Sequence, residues 1–139
     1  MSNSIPEYVL DSFALLAYFQ AEPAGPAVRV LLEEARDDKV SLHVSLINVG
    51  EMYYIMARGK GIAQADSMLS DIRALPLILQ PASEDRILAA ARLKANYALS
   101  YADAFVVGLG QELSATVMTG DPEFTTIANL VNILWLRNS

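Results

Sequence analysis

The sequence contains no cysteine. That excludes disulfides, zinc ribbons and thiol nucleophiles, and it suits a reducing cytosol. Histidine occurs once, as His43. Lying in an apolar run read as a buried strand, it is expected to be a satisfied core residue rather than a ligand. Long uncharged stretches are missing too. The longest, Phe124 to Leu136, has 13 residues, against the roughly 20 that a membrane helix needs. The opening MSNSIPEYVLD has neither a basic start nor a long apolar stretch, so no secretory signal is expected and the cytoplasm is the expected compartment. Basic charge is the last scarcity: 10 Lys and Arg stand against 16 Asp and Glu, a net charge of −6. Such a surface does not draw nucleic acid by its overall field. The surplus acids could instead line a metal site or face a basic protein partner.

What is present is apolar. With 139 residues and 53% hydrophobic content, the chain is expected to form one domain over residues 1–139, burying roughly 68–70% of its unfolded surface. Repeats, low-complexity tracts and long linkers are not found. Short β-type runs alternate with longer helical ones. Strands are expected at Tyr8–Leu10, Val40–Val44, Leu77–Leu79, Thr116–Met118 and Ile133–Leu136. Helices are expected from Phe13, with Ser12 as cap, and over Pro26–Asp38, with Val30, Leu31 and Ala35 inward. Ser45 opens the next, where Val49, Met52, Tyr53 and Met56 form one stripe before Gly59 and Gly61 end it. Further helices are expected over Ile62–Leu75, from Ser83 to about Tyr97, and from Ser100 to about Glu112. A short one opens at Asp121-Pro122-Glu123. Strands separated by helices imply βαβ units: an α/β fold, with a mainly parallel sheet covered on both faces.

Acids sit at particular places in this pattern. Asp11 ends the first strand, Asp121 follows the fourth, and Asp103 lies in the first turn of the sixth helix. In a parallel sheet the carboxyl ends of the strands share one edge, and ligands bind in the crevice outside it. Glu51 lies six residues past Ser45, about 9 Å along its helix, and shares a face with Asn48. Each acid taken singly also reads as ordinary structure. Asp11 and Asp121 suit helix caps, the latter followed by Pro122. Ser100 and Asp103 suit a capping box, and Glu51 suits a solvated surface. Taken together, four carboxylates on one edge would repel each other and raise each other's pKa. A hard cation, Mg2+ or Mn2+, removes that penalty.

These stretches resemble those of the PIN-domain nucleases, especially the VapC-type toxins of toxin–antitoxin pairs. The likeness spans about Tyr8 to Trp135. V-L-D-S-F-A-L-L-A-Y-F carries Asp11 and Ser12, and S-L-I-N-V-G-E-M-Y-Y carries Asn48 and Glu51. L-S-Y-A-D-A carries Asp103, and T-G-D-P-E-F carries Thr119 and Asp121. The resemblance implies a three-layer α/β/α sandwich with a parallel five-stranded sheet. It implies a Mg2+- or Mn2+-dependent endoribonuclease, with Asp11, Glu51, Asp103 and Asp121 as metal ligands and Ser12, Asn48 and Thr119 in support. It also implies a homodimer and a cognate antitoxin that blocks the active site; the acidic balance suits an antitoxin with a basic segment.

Rival readings remain at this point. A nuclease of RNA processing without a toxin role needs the same acids. A phosphoacceptor signalling domain also uses acids and Mg2+ at a sheet edge. It needs an acidic pair after strand one and an aspartate after strand three, however, where this chain has Asp11-Ser12-Phe13 and Gln80-Pro81. A non-catalytic binding module would keep the acids only as caps. For RNA contact the local bases are Arg58 and Lys60, or Arg92 and Lys94. Gly50 sits mid-helix at a cost of about 1 kcal/mol relative to Ala, a cost that close packing there would explain.

Overall fold

The computed structural model describes residues 4–137. Residues 1–3 of the N-terminal segment and 138–139 at the other end of the expected domain lie outside the described residues. Five strands are present: β1 (Glu7–Leu10), β2 (Ser41–Ser45), β3 (Ile78–Gln80), β4 (Thr116–Thr119) and β5 (Ile133–Trp135). Six α-helices alternate with them: α1 (Ser12–Phe19), α2 (Gly25–Arg36), α3 (Leu46–Lys60), α4 (Ile62–Ala74), α5 (Glu84–Asn96) and α6 (Tyr101–Leu113). The short helix at Pro122–Ile127 is 3-10 rather than α.

All strand pairs are parallel, in the order β3-β2-β1-β4-β5. Parallel neighbours need a crossover, and the helices supply it. The alternation of side chains along each strand divides the interior in two. Leu10, Leu42, Val44 and Met118 face a core shared with α1 to α4. Val9 and Val117 face the second core, with Ala104, Phe105 and Val107 of α6. The result is an α/β/α sandwich, as expected. After β1 the chain builds outward to β2 and β3, then returns to lay β4 and β5 on the other side. The reversal falls between β1 and β4.

Several boundaries differ from the expectation by a residue or two. Three local differences stand out. Ser12 is not the cap of α1; Asp11 is, its Oδ1 accepting the Ala14 N–H at 2.9 Å. Val30 is 49% exposed rather than inward, because the buried stripe of α2 runs through Val28, Leu31, Leu32 and Ala35. Gly50 has no packing reason, since a Cβ there would meet nothing within 4 Å. Gly61 is required by conformation instead: its φ of +96° separates α3 from α4, a backbone conformation that L side chains rarely adopt.

The expected core role of His43 fits what surrounds it. Its Nδ1 accepts from Gln80 Nε2 and its Nε2 faces Glu7 Oε1, both at 3.0 Å. Both ring nitrogens are therefore engaged by protein. Among the described residues no helix is long and apolar enough to cross a membrane.

Candidate metal centre

β1 and β4 are hydrogen-bonded neighbours, with Leu10 level with Met118. Asp11 leaves the end of β1 and Asp121 lies two residues past the end of β4. Their chain segments therefore meet at the point where the sheet reverses its direction of growth, the place where open α/β sheets bind ligands.

The capping and ligand readings of these acids turn out to be compatible. Asp11 uses Oδ1 to cap α1, while Oδ2 accepts the hydroxyl proton of Thr119. Asp121 uses Oδ1 to cap the 3-10 helix through the Glu123 N–H at 2.9 Å. Thr119 Oγ1 also accepts the Asp121 N–H at 3.0 Å, so one hydroxyl ties the two acids together. Ser100 Oγ accepts the Asp103 N–H at 3.1 Å, which is one half of the expected capping box. The caps therefore fix each carboxylate against its own helix start.

Glu51 is held differently. Asn48, fully buried on α3, donates from Nδ2 to Ser12 Oγ at 3.1 Å, and Ser12 donates to Glu51 Oε1 at 2.5 Å. The hydroxyl after Asp11 is thus the link between α1 and the acid on α3. Asn48 Oδ1 is buried and has no hydrogen-bond partner. An unmet acceptor in such a place is costly in a protein interior.

Carboxylate oxygens of Asp103, Asp121 and Glu123 all lie within 4.8 Å of one another. Asp11 and Glu51 are not part of that closest trio, but their charges reach it. Asp11 is pushed up to about 7, first by burial and then by Asp103 and Asp121; the Thr119 hydroxyl and the Ala14 N–H pull the other way. Asp103 is pushed up to about 6, again mainly by burial, with Asp121, Glu51 and Glu123 adding to it and Ser100 opposing. The four expected acids are thereby brought into one electrostatic cluster.

Glu123 is the acid that the sequence reading passed over. It lies within T-G-D-P-E-F, two residues after Asp121, and the tight 3-10 turn brings it back beside its neighbour. The signal was the D-x-E spacing across a helix start. Of the four bases considered for RNA contact, Lys94 is engaged: its Nζ donates to Leu99 O at 2.9 Å. The Arg58 guanidinium lies over the Tyr54 ring, 5.2 Å from its centroid. Lys60 and Arg92 are exposed.

The donor set suits a hard divalent cation. It consists of carboxylate oxygens, and the charges that shift Asp11 and Asp103 are all negative. Oxygen-only ligands favour Mg2+ or Mn2+ over zinc, and a cation would offset the burial and the mutual repulsion that raise Asp11 and Asp103.

Comparison with known proteins gives the same frame. The family model described as PIN domain matches residues 8–130. No curated protein sequence matches significantly. Among solved structures, VapBC2 from Rickettsia felis, bound to a DNA fragment from its promoter, superposes with a TM-score of 0.73 at 14% identity, covering 94% of this chain and 99% of that one. VapC20 from Mycobacterium tuberculosis, a sarcin-ricin loop cleaving toxin, gives 0.70 at 11% identity, covering 86% and 94%. FitAcB from Neisseria gonorrhoeae gives 0.65 at 18% identity, covering 91% and 96%. At these identities the likeness is one of fold.

Proposed function

The chain belongs to the PIN-domain family, and on that footing we propose that it is a divalent-cation-dependent endoribonuclease and the toxin of a toxin–antitoxin pair. The 139 residues form one nuclease domain acting in the cytoplasm. The observation that carries this reading is the meeting of the Asp11, Glu51, Asp103 and Asp121 segments at the switch point between β1 and β4.

In this reading Asp11, Glu51, Asp103 and Asp121 hold Mg2+ or Mn2+, and Glu123 adds a fifth carboxylate at the rim. Bound there, the cation supplies Lewis acidity for activating water and neutralises charge on the scissile phosphate. The chain's own groups set the geometry. Thr119 orients Asp11, and the Asn48–Ser12 pair holds Oε1 of Glu51. Oε2 of Glu51 has no partner among the described residues and serves as ligand or as proton acceptor for the attacking water. In-line attack by water, not by the ribose 2′-hydroxyl, leaves 5′-phosphate and 3′-hydroxyl ends.

The partners follow from the same reading. The Rickettsia felis neighbour is VapBC2, VapBC-5 from Mycobacterium tuberculosis is a member of the VapBC family of toxin-antitoxin systems, and VapC20 is a sarcin-ricin loop cleaving toxin. The motif resemblance further implies a homodimer and a cognate antitoxin over the site, and the acidic balance suits an antitoxin whose basic segment brings an Arg or Lys into the carboxylate cluster.

The test is cleavage of an end-labelled single-stranded RNA by the purified chain with Mn2+, with Mg2+ and with EDTA. Cleavage with either cation, none with EDTA and 5′-phosphorylated products are expected. Cleavage undiminished in EDTA, or none with either cation, overturns the reading.

A further inference from the structure

Phe13 stands two residues after Asp11 and is only partly buried. It packs on the α1–α4 core without being enclosed by it. Against it lies Gly120, the residue before Asp121. A Cβ placed on Gly120 would fall 2.4 Å from Cε1, 2.9 Å from Cζ and 3.2 Å from Cδ1 of the ring. One edge of Phe13 therefore rests directly on the backbone of the β4 loop, with no side chain between. The ring bridges the two segments that carry Asp11 and Asp121, and the residue as a whole stays partly exposed.

We propose that the partly exposed Phe13, backed by Gly120, is a shelf on which a nucleobase of unpaired RNA stacks beside the scissile phosphate. The proposal rests on the nuclease reading and names the form of RNA it takes. Nucleic-acid binding usually draws its affinity from phosphates neutralised by Lys and Arg. This chain carries a net charge of −6, and several of its bases are already engaged. Arg86 pairs with Glu112 at 2.8 Å, Lys94 caps Leu99 O, and Arg58 covers Tyr54. The charges acting on Asp11 and Asp103 are all carboxylates. Uncharged contact near the cut can therefore add affinity beyond what the cation and exposed bases such as Lys60 and Arg92 supply. Stacking on an aromatic ring supplies it for any base, since every base has a π-face. A base inside a duplex is already stacked on both sides, so the shelf selects loops and single strands.

The test uses cleavage of a labelled single-stranded RNA in Mn2+, intact and with one abasic ribose placed in turn at each position flanking the cut. Wild type is compared with Phe13→Leu, which keeps apolar packing, and with Phe13→Tyr, which keeps the ring. Phe13→Leu should lose about 10-fold in kcat/KM on intact RNA, mostly through KM, and Phe13→Tyr should stay near wild type. One abasic position should cost the wild type a similar factor and cost Phe13→Leu little more, because base and ring act as a pair. Equal losses by Phe13→Leu on intact and abasic RNA would reduce the ring to packing and overturn the shelf. So would a wild type indifferent to every flanking abasic site, a result that needs no variant to fold. A wild type that cleaves no RNA overturns the nuclease reading instead, and the shelf with it.

Discussion

Thr119 at the end of β4 donates its hydroxyl proton to the buried carboxylate of Asp11 at the end of β1. The same oxygen accepts the N–H of Asp121. One side chain thus couples the acids of two neighbouring strands, separated by more than a hundred residues of sequence.

Replacing Thr119 with Val should therefore disturb both acids at once. Oδ2 of Asp11 would be left buried without its donor, at a cost of about 1–3 kcal/mol. Changes to the groups that orient metal ligands commonly cost about 10–100-fold in affinity or activity. The expected outcome is weaker Mn2+ binding by calorimetry, a lower melting temperature and slower RNA cleavage. Wild-type Mn2+ affinity in Thr119→Val would show that the hydroxyl does not orient Asp11.

Asp11→Asn should separate folding from chemistry. The amide oxygen can still cap α1 through the Ala14 N–H, and the amide nitrogen can donate to Thr119 Oγ1. The fold should persist by circular dichroism, while metal-dependent cleavage falls by more than about 100-fold, since a ligand should matter at least as much as the group that orients it. Cleavage at the wild-type rate would remove Asp11 from the mechanism.

The raised carboxyl groups predict how the cation-free protein responds to pH. Asp11 is raised to about 7 and Asp103 to about 6 in the folded chain, against about 4 when unfolded. Between pH 4 and 7 the folded state therefore holds more protons than the unfolded state. The stability these groups contribute is fully present below pH 4 and is lost as pH rises through their folded values. In EDTA the melting temperature of wild type, measured relative to Asp11→Asn, should fall from pH 5 to pH 8. Mn2+ should restore it most at pH 8, where fewer protons compete. A difference between the two proteins that does not change with pH would contradict the buried-acid account.

Gly50→Ala should stabilise the chain. The position is exposed on α3, and an added Cβ meets nothing within 4 Å. The gain should be about 0.5–1 kcal/mol, read as a rise of a few degrees in melting temperature. Gly120→Ala makes the opposite case. Its Cβ would press on the Phe13 ring at 2.4 Å, so the ring must shift and stability should drop by about 1–3 kcal/mol. A neutral Gly120→Ala in thermal melts would show that the ring yields freely.

Periodicity and caps made most of the fold legible before any coordinates. The short apolar strand runs, the stripe of Val49, Met52, Tyr53 and Met56, and the caps Ser45, Ser83 and Ser100 depend on neighbours close in sequence, and local steric and hydrogen-bonding rules govern them. The same locality explains the errors. Asp11 and Ser12 can each cap α1, and what distinguishes them is Glu51 and Asn48 on another helix, which engage the serine. Val30 is apolar and helical, yet its angle on α2 turns it out of the core.

The sequence by itself determined which residue types stood at strand ends and helix starts, and so that carboxylates would crowd one rim of a parallel sheet. Only the tertiary structure decided that β4 returns to lie beside β1, which sets the charge of Asp103 and Asp121 against Asp11. It also decided that a 3-10 turn folds Glu123 back beside Asp121, and that Phe13 comes to rest on Gly120. Those contacts join residues far apart in the chain, and they arise from how the helices bury the two faces of the sheet, a property of the whole packing that no short window of sequence contains.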